Sequence, residues 1–207
     1  MDFTSPHFDR SALVMIDVQA DFMDSGPLQI DGTTAKLPQM VELVQAFRAA
    51  KRPIVHIIRF YVGEDVDLVR RAAVLSGASM VLPGTAGAQV PPELLGGPIT
   101  LDDDLLLAGK PQELGPDEVI LYKPRWSAFY RTGLHEWLQA RGVDTVVVAG
   151  CNFPNCPRST MFDASEHDYR VVVATDAISQ ITPDRLADAQ LIGVQPRTIA
   201  EIAAAFG

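Results

Sequence analysis

The chain has 207 residues, with 17 Lys and Arg against 26 Asp and Glu, and a net charge of −9. That length suits one α/β domain, expected to run over 1–207, and 47% apolar content is enough for its core. An acidic chain has no general attraction for phosphate backbones or anionic lipid, so the expected partner is a small molecule, with no nucleic acid and no membrane.

The opening MDFTSPHFDR carries acids and lacks the basic-then-apolar layout of a secretory signal, and no window resembles a membrane span, so a cytoplasmic location is expected. The two cysteines, Cys151 and Cys156, form no Cys-x-x-Cys pair. Neither a disulfide framework nor a zinc ribbon is available, which leaves free-thiol chemistry.

Near-continuous apolar, β-branched runs predict strands at ALVMID (12–17), PIVHIIRF (53–60), EVILYK (118–123), DTVVVAG (144–150) and YRVVVATD (169–176). Runs without alternation are what a parallel sheet covered on both faces requires. Helical spacing predicts helices through MVELVQAFRAAKR (40–52), GLHEWLQARG (133–142), STMFDASEHD (159–168) and RLADAQLIG (185–193). A last helix is signalled at TIAEIAAAF (198–206), where Thr198 and Glu201 have capping-box spacing. Residues 77–117 are dense in Gly and Pro and read as a long loop with one or two short elements. The alternation of strand and helix predicts a doubly wound, three-layer α-β-α sandwich around a mostly parallel sheet, with ligands at the carboxyl ends of the strands.

Three polar residues fall at that edge. Asp17 ends the first run, Lys123 ends the third, and Cys156 follows the fourth after a short loop. A carboxylate can take a proton from a thiol while an ammonium steers the pair. Cys156 is expected in the first turn of a helix, where unpaired N–H groups and the positive dipole end favour thiolate and could receive an oxyanion, and where Pro157 is tolerated.

DVQADF (17–22), YKPRWSAF (122–129) and the segment AGCNFPNCPRSTMFDASEHDYRVVVATDAIS (149–179) together resemble the isochorismatase-like cysteine hydrolases, a superfamily that includes nicotinamidases and N-carbamoylsarcosine amidohydrolases. The resemblance spans about residues 10–195. It implies a catalytic triad of Asp17, Lys123 and Cys156, in which the cysteine attacks a carbonyl, the aspartate serves as base and then acid, and water hydrolyses the acyl-enzyme. It also implies a cis peptide at Cys151-Asn152 and an oxyanion hole from the N–H groups of Asn152 and Cys156. Nicotinamidases hold a metal through an Asp-x-His motif after the second strand. Here the stretch reads HIIRFYVGEDVD (56–67), with His56 inside a strand, so the resemblance is to a metal-free branch with no cofactor. A homo-oligomer, dimer or tetramer, is expected.

Each candidate has a plainer reading. Asp17 could be a cap or a magnesium ligand, Lys123 a surface lysine, and Cys156 an inert buried thiol; the three at converging strand ends favour chemistry. Cys151 reads as structural. His56, His135 and His167 have no metal spacing. Phe22, Trp126, Phe129 and Phe153 flank the triad motifs and are candidates for an aromatic pocket or plain core. Arg59, Arg125 and Arg158 also flank the strand ends, and Arg59 and Arg158 are carried as substrate-binding candidates for a carboxylate. The leading function is hydrolysis of a C–N bond in a small amide, imide or ureido compound. The alternatives are vinyl-ether hydrolysis with Asp17 as general acid, and a non-catalytic flavodoxin-like binding module. No Gly-x-Gly-x-x-Gly or Walker-type loop supports the latter.

Overall fold

A computed structural model describes residues 2–207. Seven strands form one sheet: β1 Ser11–Ile16, β2 Ile54–Ile58, β3 Gln112–Gly115, β4 Glu118–Tyr122, β5 Thr145–Gly150, β6 Arg170–Ile178 and β7 Gln195–Arg197, in the order β3-β4-β2-β1-β5-β6-β7. All neighbours pair in parallel except β3, which turns back antiparallel on β4 at the edge. Among the described residues, eight α-helices are interleaved: α1 Thr33–Ala49, α2 Leu68–Leu75, α3 Pro92–Leu95, α4 Asp103–Leu107, α5 Leu134–Gln139, α6 Cys156–Glu166, α7 Pro183–Gln190 and α8 Ile199–Ala204.

The strands are fully buried where they are apolar on both faces, and alternate residues feed two cores. Leu13 and Met15 of β1 pack with Met40, Leu43 and Phe47 of α1 and Ile199 and Ile202 of α8. Ala12, Val14 and Ile16 face the other way, toward Leu134 and Leu138 of α5 and Met161 and Ala164 of α6. Two covered faces are the reason the runs are continuous rather than alternating. The α/β sandwich expected from the sequence is the fold observed.

Several elements depart from expectation. Helix α1 begins at Thr33, seven residues before the predicted stretch, and accommodates Pro38 in its second turn. Helix α6, by contrast, begins at Cys156 with Pro157 in its first turn, as the sequence predicts. Helix α2 was not anticipated, because it has no buried residue and presents Leu68 and Val69 to solvent. The edge strands β3 and β7 carry QELG and QPR, with no apolar run to announce them. The 77–117 segment holds more order than one or two elements: a 3-10 turn at Ala86–Ala88, α3, α4 and β3. The Thr198–Glu201 capping box is present at the start of α8. Among the described residues, no helix is long and apolar enough to cross a membrane.

Candidate active site

The carboxyl ends of β1, β2 and β4 and the start of α6 converge at one point. The Asp17 amide donates to the Ile57 carbonyl at 2.9 Å, and the Lys123 amide to the Ile58 carbonyl at 2.9 Å, each extending its ladder by one bond. Asp17 takes a positive φ of 51°, which turns its side chain off the strand and which Asp adopts more readily than most residues. Gln19 then locks this end to β2: its amide donates to the Arg59 and Ala88 carbonyls at 3.0 and 2.7 Å and accepts from the Arg59 N–H at 2.9 Å.

Lys123 Nζ donates to Asp17 Oδ2 at 2.8 Å and to the Arg125 carbonyl at 3.1 Å. Asp17 and Lys123 are 2% and 0% exposed, so this is a buried ion pair. Asp17 Oδ1 is buried with no hydrogen-bond partner. Cys156 is also buried, and its thiol feels the Asp17 carboxylate. Burial first, then the Asp17 charge, push the Cys156 thiol up to about 11, against the downward pull of Lys123 and Arg59. Burial and Asp17 thus work against the thiolate that the helix start was expected to favour. The thiol is neutral until a base takes its proton, and Asp17 is the base beside it.

The peptide Cys151-Asn152 is cis. The loop is anchored by the Phe153 amide on the Ser179 carbonyl at 3.0 Å and the Asn155 amide on the Asn152 carbonyl at 3.1 Å. Among the described residues, the Asn152 and Cys156 N–H groups donate to no backbone carbonyl. Cys151 donates its thiol to the Asp17 carbonyl at 3.3 Å, a structural contact. Gly150, at φ 106°, precedes this loop, and a Cβ there would collide with the Ile16 carbonyl oxygen and lie 2.7 Å from the Ile16 nitrogen. Only glycine lets β5 approach β1 this closely.

Arg59 is not free for a substrate. It is 1% exposed, pairs with the fully buried Asp67, and lies 3.4 Å from Asp17 Oδ2 through Nε. Burial works against its charge, but the acidic groups around it, Cys156, Asp17, Tyr61 and Asp67, outweigh burial and raise its proton affinity well above the ordinary arginine value. Sequence reasoning missed Asp67 and Gln19. Asp67 precedes α2, yet its side chain does not cap that helix and turns to Arg59 instead.

The aromatic candidates separate. Phe22 lies in the core with α1, Phe153 in the core with α6, and Phe129 stacks on Tyr169 at 5.7 Å between centroids. Trp126 is the one beside the site: its ring lies 5.3 Å from the Arg59 guanidinium and also lines a cavity of about 350 Å³ with Pro154, Asn155, Arg158, Ser159 and Phe162. Arg158 is exposed at that cavity. Arg125 pairs with Asp65 at 2.6 Å. His56 bonds Glu118 at 2.8 Å inside the sheet, and His135 stacks on His167, so neither joins the site. Among the described residues, no group of three His, Cys, Asp or Glu side chains is arranged to hold a metal ion.

Comparison with known proteins matches residues 11–205 to the isochorismatase domain family. A protein of Arabidopsis thaliana named as a probable inactive nicotinamidase is 34% identical over 93% of this chain and 94% of its own. A ureidoacrylate amidohydrolase of Methylorubrum extorquens is 29% identical over 90% of this chain and 77% of its own. The crystal structure of an isochorismatase family protein from Desulfovibrio vulgaris superposes with a TM-score of 0.78 at 31% identity, covering 92% of this chain and 95% of that one. With nearly its whole length matched by the family, the same doubly wound sheet and a thiol, carboxylate and ammonium at its carboxyl edge, the chain belongs to the isochorismatase family of hydrolases.

Proposed function

We propose that the protein is a cysteine hydrolase that cleaves a C–N bond in a small amide, imide or ureido compound through Cys156, Asp17 and Lys123. The observation that carries this reading is the asymmetry of Asp17: Oδ2 is held by Lys123 at 2.8 Å, Oδ1 is buried and unpartnered, and the charge of the same carboxylate acts on the buried Cys156 thiol. A carboxylate so placed takes the thiol proton as sulfur attacks the carbonyl carbon. The oxygen that becomes negative is received by the Asn152 and Cys156 N–H groups. Asp17 then returns its proton to the leaving nitrogen, ammonia or an amine departs, and a water activated by the same carboxylate hydrolyses the thioester.

The ureidoacrylate amidohydrolase among its relatives supports the C–N bond as target. Vinyl-ether cleavage by aspartate alone would leave Cys156 without a task. Lys123 within the triad and Arg59 beside it supply two cations next to Asp17, which supports chemistry without a catalytic metal. Leu68, Val69 and Leu75 on α2 are 78%, 69% and 58% exposed, a solvent-facing apolar set that supports a homo-oligomer. The acidic charge and two free thiols support a cytoplasmic enzyme.

The test is ammonia or amine release from a panel of small amides, imides and ureido compounds, run with the native protein and Cys156→Ala. Turnover that disappears in the variant, with a thioester trapped on Cys156 by acid quench and mass spectrometry, supports the reading. Equal turnover in both proteins overturns it.

A further inference from the structure

We infer that Arg59 is a further catalytic residue, a buried guanidinium fork that holds the negative charge as it passes from Asp17 to Cys156, and that Asp67 is the residue that positions it. This rests on the cysteine-hydrolase reading above.

Arg59 Nε lies 3.4 Å from Asp17 Oδ2, and Arg59 Nη2 donates to Cys156 Sγ at 3.5 Å. In the attack step the S–H bond breaks, an O–H bond forms on Asp17, and the sulfur electron pair makes the bond to the carbonyl carbon. Negative charge leaves Asp17, reaches sulfur and moves on to the carbonyl oxygen. Lys123, at 2.8 Å from Asp17 Oδ2, favours the starting distribution. A guanidinium within reach of both ends keeps a cation beside sulfur when the charge leaves Asp17, and so offsets the preference of Lys123 for the starting distribution without any group moving. An ammonium, with its charge on one atom, cannot span the two.

The other donors of Arg59 fix this orientation. Nη1 donates to the Tyr61 hydroxyl at 3.0 Å and to Asp67, and Nη2 also donates to the Arg125 carbonyl at 2.7 Å. The rings of Tyr61 and Trp126 flank it at 5.2 and 5.3 Å. With these contacts made, only the Nε N–H of Arg59 lacks a hydrogen bond, and it is buried 3.4 Å from Asp17 Oδ2. Asp67 has the countercharge that makes burying the guanidinium tolerable, and it also damps the pull of Arg59 on the thiol. The titratable and charged groups around the thiol are thus Asp17 after β1, Arg59 after β2 with Tyr61 and Asp67 beyond it, Lys123 after β4, and Cys151 after β5.

The thiolate of Cys156 can be read directly as far-ultraviolet absorbance at a pH of about 10, each protein minus its Cys156→Ser counterpart. With the thiol pushed up to about 11, the native protein shows about one-tenth thiolate there. Arg59→Met combined with Asp67→Asn removes both charges together, so no lone charge is buried, and folding is checked by circular dichroism. The expected signal falls about fivefold or more. Asp67→Asn alone, which leaves Arg59 less neutralised, is expected to raise it about threefold. Arg59→Lys, which keeps the charge and loses the fork, is expected to stay below the native protein.

A folded double variant with an unchanged signal overturns the inference, as does Asp67→Asn moving in the same direction as the double variant, or Arg59→Lys matching the native protein. If the double variant fails to fold, the two single variants decide. Failure of the underlying reading is distinct: turnover that survives in Cys156→Ala removes the triad and the inference together. A dead Cys156→Ala with silent charge variants removes the inference alone.

Discussion

Lys123 donates to Asp17 at 2.8 Å across a sequence separation of 106 residues, and both side chains are withdrawn from water. Removing Lys123 takes away the hydrogen-bonded cation of the buried Asp17 carboxylate and leaves it only Arg59 at 3.4 Å. Lys123→Met is therefore expected to destabilise the fold by about 3–5 kcal/mol in denaturant unfolding, and adding Asp17→Asn should recover most of the loss. A double variant no more stable than Lys123→Met would show that the pair does not carry this energy.

Activity variants separate chemistry from scaffold. Cys156→Ala and Cys156→Ser should abolish turnover, and Asp17→Asn should lower kcat by about a hundredfold or more, because an amide cannot take the thiol proton. Cys151→Ala should keep most of the rate, since its thiol only donates to the Asp17 carbonyl. Loss of activity in Cys151→Ala with the fold intact would give that residue a chemical role.

The state of the thiols makes a separate prediction. Because burial and Asp17 push Cys156 up to about 11, its alkylation by iodoacetamide should rise about tenfold per pH unit from neutral to pH ~10 with no plateau. Cys156 should still react before Cys151, which burial pushes well above the ordinary thiol range and which is 1% exposed against 5% for Cys156. A plateau near neutral pH in the peptide-mapped rate for Cys156 would mean a resting thiolate.

Asp17, Lys123 and Cys156 were legible in the sequence because each closes or follows an apolar run, and a doubly wound sheet brings such ends together whatever their separation. Arg59 was legible as a site residue and misjudged in its task. Arginines are mostly solvated, and only the tertiary burial of Asp67 and the rings of Tyr61 and Trp126 withdraw this one. Asp67 left no trace, since it lies in GEDVD, a polar stretch without periodicity. Phe22, Phe129 and Phe153 could not be sorted from Trp126 by sequence, because core and pocket draw on the same residue types. Helix α2 and the edge strands escaped for the reverse reason: with little buried, they have no face that must be apolar.

Glu118 predicts an acid limit to stability. It accepts from Arg48 Nε and Nη2 at 2.8 and 2.6 Å and contacts His56 at 2.8 Å. Burial raises its proton affinity, but these partners outweigh it and bring the carboxyl down to about 2. A depressed carboxyl contributes stability that is fully present above its unfolded value and lost as pH falls through the folded one. Native stability should therefore decline from about pH 5 toward pH 2, by about 2 kcal/mol from this group. Glu118→Gln should be less stable at neutral pH and show a shallower acid decline. Parallel pH profiles for the two proteins would exclude Glu118 as a source.

Gly150 predicts how tightly the fold and the site are tied. Its φ of 106° is a conformation that side-chain-bearing residues rarely adopt, and an added Cβ would meet the carbonyl oxygen and nitrogen of Ile16, backbone atoms of a central strand that cannot swing aside. Its carbonyl accepts from the Ser179 amide at 3.1 Å, and the next residue, Cys151, donates its amide to the Ile16 carbonyl at 2.9 Å. Gly150→Ala must either part β1 from β5 or move the loop that leads to Asn152 and Cys156. We expect a loss of about 3 kcal/mol or more in unfolding free energy, and, in whatever folded fraction remains, a larger fall in turnover than in substrate binding, because Asp17 sits directly after Ile16. A Gly150→Ala protein with native stability and native kcat would show that β1 and the loop can shift without disturbing the Asp17–Cys156 geometry, and the close approach at Ile16 would then have no part in aligning the base with the thiol.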